Sequence, residues 1–144
     1  MNSTMTPLEN PIKIGKRLAK NRIVIQPVEG NDATLEGGFS ENTLQRYERL
    51  FKGGAGVVVM EAVTLQRESI SRKAQLFLDT TDPANRAAWE QFIQHKQTHY
   101  PDTLLIVQLH HSGEISDDNI SRRVCVKPLP GYGGDLIDAD YVEK

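Results

Sequence analysis

Five polar side chains stand at the ends of apolar runs: Gln26, Glu61, Gln108, His110 and His111. The Gln108 amide can donate and accept a hydrogen bond at once; the structural alternative is a strand-end glutamine satisfied by backbone. His110 and His111 are able to orient a substrate carbonyl or a cofactor ring; the structural alternative is a pair of loop histidines satisfied by backbone. Glu61 must be solvated, paired or protonated, and pairing with a neighbouring loop arginine is its structural alternative. Two further patterns carry less. His95 and His99 lie four apart on a helix, a spacing that can share a metal, but no third ligand stands near them in sequence, so they read as a solvated helix face and no metal is expected. Gly53-Gly-Ala-Gly56 follows a helix and precedes a strand. A phosphate-binding loop has the opposite order, so these glycines read as a helix stop and a tight turn.

The elements that position the five residues are legible. Arg22–Pro27, Val57–Glu61 and Leu104–His111 are apolar and rich in branched residues, as parallel strands buried on both faces are. In α/β folds, ligands bind at the carboxyl ends of such strands, so the five side chains are expected to gather at one rim. Pro11–Lys20 reads as a small hairpin turning at Gly15-Lys16. Residues 28–40 form a loop longer than most connections, and such loops are usually functional or disordered. Ser40 caps a helix whose apolar face is Leu44, Tyr47, Leu50 and Phe51. Asp82-Pro83 opens a second helix, with Trp89, Phe92, Ile93 and Lys96 on one face, ending near His99. Pro101-Asp102 breaks the chain before the third strand. After Gly113 the sequence is loop-like, with Pro128, Pro130, Gly131, Gly133 and Gly134, and 138–144 reads as the first turn of another helix.

The 144 residues suffice for one domain with a core, and 38% hydrophobic with 25% charged residues is ordinary for a globular protein. A net charge of −2 gives no electrostatic footprint for nucleic acid or an anionic membrane. The single Cys125 excludes an internal disulfide and fits a reducing cytosol. Residues 1–10 lack the pattern of a secretory signal, and no window has the roughly 18 apolar residues of a membrane span. The expectation is a cytoplasmic α/β protein.

The segments Leu18–Val28, Tyr47 in its helix, Gly54–Ala62 and Gln108–Gly113 together resemble the old yellow enzyme family of FMN-dependent ene-reductases, including its 2,4-dienoyl-CoA reductase-like branch. They occur in the family's order across nearly the whole chain. The resemblance implies the N-terminal part of a (β/α)8 TIM barrel, three strands and two helices with a hairpin closing its bottom. It implies FMN as cofactor, NADH or NADPH as reductant, and hydride delivery to an activated C=C bond. Carried over by position, Gln26, Pro27, Val28 and Glu29 line the flavin from the first strand. Ala62 meets its pyrimidine edge through backbone, Gln108 bonds the pyrimidine carbonyl and ring nitrogen, and His110 with His111 faces the substrate pocket.

Two positions depart from the family. Glu29 stands where Thr or Cys is usual beside the flavin, and Glu114 where Arg is common. A carboxylate at 29 would lower the flavin potential, or act protonated as a donor; the alternative is a loop carboxylate paired with Arg72 or Lys73 and remote from the cofactor. The family's catalytic residues lie on later strands, which this sequence does not contain. A barrel takes about 250 residues, so residues 1–144 are expected to form a partial domain completed by a second polypeptide. The competing readings are a non-catalytic α/β binding module and an inactive truncated fragment.

Overall fold

The computed structural model describes residues 6–116, 119–121, 123–125, 127, 130 and 135–136. Pro128, Gly131, Gly133, Gly134 and the helical turn expected at 138–144 lie outside the described residues. The hairpin is present: β1 (Ile12–Ile14) pairs antiparallel with β2 (Arg17–Ala19). The main sheet has three parallel strands in the order β3 (Val24–Ile25), β4 (Val57–Thr64), β5 (Leu104–His110). Helix α1 (Glu41–Lys52) links the first two and α2 (Pro83–His99) the last two. A minor parallel pair, β6 (Val124–Cys125) with β7 (Asp135–Leu136), was not foreseen from the loop-like composition after Gly113. Cys125 is buried and in no disulfide.

Both helices start where the sequence places them. Ser40 Oγ accepts from Thr43 N at 3.1 Å, and Asp82 Oδ1 accepts from Ala84 N at 2.9 Å with Pro83 next; such caps are worth about 1 kcal/mol each. α1 stops at Gly53, and Gly54 takes a φ of +80°, as the helix-stop reading requires. One detail of the α1 face differs. Leu44 is exposed at the edge of the groove toward α2, and Thr43 takes the buried position, because its hydroxyl donates to the Asp32 carbonyl at 2.9 Å. The stripe that faces the core is therefore Thr43, Tyr47 and Phe51.

The core lies between the helices and one face of the sheet. Tyr47 and Phe51 of α1, Trp89 and Phe92 of α2, and Val58, Met60 and Val63 of β4 are all buried in it with Leu76. Phe39 stacks on Phe92 with ring centroids 4.5 Å apart and meets Trp89 edge-on at 4.7 Å. Leu105 and Val107 of β5 pack on the same core, so Ile106, Gln108 and His110 point to the opposite face. That face carries exposed apolar groups at Val24 and Ile106. Among the described residues, no helix is long and apolar enough to cross a membrane.

Two strands differ in length from the sequence reading. β3 has two ladder residues, fewer than the run Arg22–Pro27 would give, because Asn21 Oδ1 takes the Ile23 and Gly56 N–H groups below it. Above it, Pro27 has no N–H to give. β4 runs on past Glu61 to Thr64, and its register against β5 shifts between Val59 and Ala62. Val59 pairs with Ile106, but Ala62 pairs with Gln108, so three steps on β4 match two on β5. This is a β-bulge, which re-aims the side chains that follow it.

Candidate functional site

The bulge decides which residues meet at the carboxyl ends of the strands. Ala62 is in register with Gln108 and Thr64 with His110, so these four share the face turned away from the helices. Gln108 is exposed there and its amide has no hydrogen-bond partner among the described residues. Glu61 does not join them. Met60 and Glu61 both turn to the helix side, Met60 into the apolar core and Glu61 toward α1. The expectation that Glu61 shares a rim with Gln108, His110 and His111 is thus corrected, and the bulge is the physical reason; Gln26 instead lines a cleft with Arg46 and Tyr47, the partners of Glu61.

Glu61 is instead the centre of a buried polar network. Its carboxylate accepts from Arg46, from Tyr47 Oη at 3.1 Å and from Gly30 N at 3.1 Å. Tyr47 Oη in turn accepts the Glu61 N–H at 3.2 Å. Arg46 also grips Asp32 through two bonds of 2.9 and 2.8 Å, which holds the Asp32 carboxyl below its usual range and lifts the guanidinium further above its own. Burial pushes the Tyr47 phenol up to about 12, so it stays a donor. The partner of Glu61 is a helix arginine, not a loop one. Through Gly30 and Asp32 the network fastens the long loop after β3.

That loop carries the residues expected to line a cofactor. Pro27 and Glu29 are half-buried and Gln26 and Val28 exposed; Gln26, Val28 and Glu29 line a cleft of about 270 Å³ with Arg46 and Tyr47. Glu29 forms an ion pair with Arg72, from the loop after β4. The pairing is the one anticipated as the alternative for Glu29.

The loop after β4 is held by a residue that sequence reasoning missed. Gln75 is buried; its Nε2 donates to the Ala62 carbonyl at 3.2 Å, and its Oε1 accepts from Ser71 N at 2.9 Å and Ser71 Oγ at 3.1 Å. Ser71 Oγ lies 3.5 Å from His110 Nε2. His110 is half-buried, and burial, then His111 and Arg72, lower its pKa, so the ring is neutral at neutral pH. His111 is exposed, with Nδ1 accepting from Gly113 N at 3.0 Å. Nothing in the run Ser69–Gln75 marks Gln75 beforehand, because a loop has no periodicity to read. His95, in the groove between α1 and α2, lies 2.9 Å from a Glu48 carboxylate oxygen, and its ring packs on His99.

Comparison with known proteins agrees with this architecture. No family model matches the chain. It is 27% identical over 122 residues to a protein named NADH oxidase from Thermoanaerobacter brockii, and 28% identical over 124 residues to a cinnamate reductase from Clostridium sporogenes. These matches take in 82% and 84% of the chain but 18% of each relative, so the chain spans under a fifth of their length. Among solved structures, the old yellow enzyme homologue from Zymomonas mobilis superimposes with a TM-score of 0.76 at 22% identity, over 96% of this chain and 41% of that one. A morphinone reductase variant in complex with tetrahydroNAD gives 0.76 at 16% identity, over 96% and 43%. In fold, the chain matches part of the TIM barrel of the solved old yellow enzyme homologues.

Proposed function

We propose that residues 1–144 supply the N-terminal part of the flavin site of an FMN-dependent, NAD(P)H-linked ene-reductase. The observation that carries this reading is the pairing of Ala62 with Gln108 at the carboxyl ends of adjacent parallel strands. An exposed, unpartnered carboxamide beside a backbone edge fits the donor–acceptor rim of a flavin pyrimidine. Bound FMN would supply the hydride relay between NAD(P)H and an activated C=C bond; the protein supplies orientation and electrostatics. In this chain, Gln108 would donate to a pyrimidine carbonyl and accept from the ring N–H. Gln75 would keep the Ala62 backbone fixed beside it. Gln26, Pro27, Val28 and Glu29 would border the ring from the loop after β3, and His110 and His111 would face the substrate. Three parallel strands do not close a barrel, so the remaining strands must come from polypeptide outside residues 1–144.

The test is the flavin itself. The native assembly should carry a visible FMN spectrum that NADH or NADPH bleaches under anaerobic conditions. Gln108→Leu leaves polar flavin groups unpaired in a desolvated site, at about 1–3 kcal/mol, so FMN should dissociate roughly 5- to 150-fold more readily. A flavin-free assembly, or unchanged FMN affinity in Gln108→Leu, would overturn the reading.

A further inference from the structure

Gln75 is a buried side chain whose two ends reach different parts of the fold. Its neighbours settle which way the amide points. The Ser71 N–H can only donate, and lies 2.9 Å from Oε1; the Ala62 carbonyl can only accept, and lies 3.2 Å from Nε2. Ser71 Oγ adds a second bond to Oε1 at 3.1 Å, and the Gln75 N–H donates to the Arg72 carbonyl at 3.3 Å. One rigid amide therefore joins the loop after β4 to the backbone of β4 itself.

The bond falls on a particular edge of β4. Thr64 donates its N–H to the Leu76 carbonyl at 3.1 Å and accepts from Leu78 N at 2.9 Å, so its peptide groups face away from β5. Ala62, two residues earlier, presents its own N–H and C=O to that same edge. The β3–β4 ladder ends at Ile25 and Val58, so neither strand residue of β3 reaches Ala62. Gln75 takes the carbonyl there. What Ala62 has left to offer a ligand on that side is its N–H, while Gln108 flanks it on the other.

We infer that Gln75 is a positioning residue that raises the reduction potential of the bound flavin; the inference rests on the function proposed above. A carbonyl oxygen is a centre of partial negative charge, and the pyrimidine edge of a flavin gains electron density on reduction. A bare carbonyl beside that edge opposes reduction, and one held in a hydrogen bond opposes it less. By capping the Ala62 carbonyl, Gln75 leaves this edge of β4 a net donor. Because the same amide is anchored on Ser71, the path of the loop and the electrostatics of the flavin edge are fixed together.

The experiment is a redox titration of the native assembly, in wild type, Gln75→Leu and the isosteric Gln75→Glu. Leu removes the donor; Glu keeps the shape and, ionised, sets an acceptor against the Ala62 carbonyl. Gln75→Leu should weaken the binding of reduced FMN about tenfold more than that of oxidised FMN, a potential lower by about 30 mV for a two-electron couple. Gln75→Glu should lower it further, and its matched shape keeps the question answerable if Gln75→Leu does not fold. A side chain that only fills space would weaken both oxidation states alike and leave the potential where it is. Hydrogen exchange read by mass spectrometry gives an arm independent of flavin: in Gln75→Leu, residues 61–64 and 69–75 should exchange faster together. An unchanged potential in the folded variants with FMN still bound, or faster exchange in the loop alone, would overturn the inference and leave the proposed reaction standing. A flavin-free assembly would overturn the proposed reaction, and this inference with it.

Discussion

Arg46→Met is a sharp test of how the site is held, because it removes a charge and keeps an apolar stem over the Tyr47 ring, where the guanidinium now sits 4.7 Å from the centroid. Glu61, with 1% of its side chain exposed, would then be left with two neutral donors, Tyr47 Oη and Gly30 N. Breaking a buried pair in this way costs about 3–5 kcal/mol. The two surviving donors put this case at the lower end, near 3 kcal/mol. Asp32 loses both bonds to Arg46, but at 19% exposed it can recruit water, which adds about 1 kcal/mol at most. Glu61→Gln alone should cost about 1–2 kcal/mol, since Arg46 retains Asp32. The double variant leaves no buried charge unmatched, so its loss should fall short of the sum of the singles by about 2 kcal/mol. Denaturant midpoints on the native assembly measure all three. Strict additivity, or an Arg46→Met loss under about 1 kcal/mol, would refute the claim that Glu61 is a charge held by Arg46.

Two other expectations follow from loops and helix faces. Gly37 has a φ of +84°, and a Cβ there would come within 2.5 Å of Phe77 Cβ; Gly37→Ala should lower stability by about 2 kcal/mol or more, read as a lower melting temperature, and an unchanged one would show that the loop repacks freely. Tyr100, then His95, hold the Glu48 carboxyl down at about 2, well below the usual carboxylate range. A depressed folded pKa means its stabilisation is present above about pH 4.5 and is lost as pH falls toward about 2. The group is partly open, so the effect is about 1 kcal/mol at most. Glu48→Gln should flatten the stability profile in that window only, and parallel profiles for the two proteins would remove Glu48 as the cause.

Where local chemistry settles conformation, the sequence could be read directly. Ser40, Asp82-Pro83 and Gly53-Gly54 end their helices for reasons confined to a few neighbouring residues, and all three are where expected. The hairpin around Gly15-Lys16 is local in the same way. The register of β4 is not. Val57–Thr64 is almost wholly apolar, so nothing in it tells which residues face the helices and which face away. A bulge in such a run depends on the partner strand, and Glu61 was misplaced for that reason. The Arg46 and Gln75 networks join residues 15 and 13 positions apart, through loops whose paths only the folded chain defines. Leu44 lost its buried place to Thr43 because a hydroxyl with a carbonyl 2.9 Å away can be buried as cheaply as a methyl group.

The irregular step in β4 works as a phase shifter. Before it, the odd positions Val57 and Val59 look away from the helices; after it, the even positions Ala62 and Thr64 do. The added residue is lodged wholly on the helix side, where Met60 feeds an apolar core and Glu61 an ionic one from adjacent places in the chain. Substitutions at 60 and 61 can therefore retune the packing of α1 and α2 while Ala62 keeps its place beside Gln108. Residue parity along this strand is no guide to facing, and a library designed by counting alternate positions from Val57 would randomise the core when it meant to randomise the site.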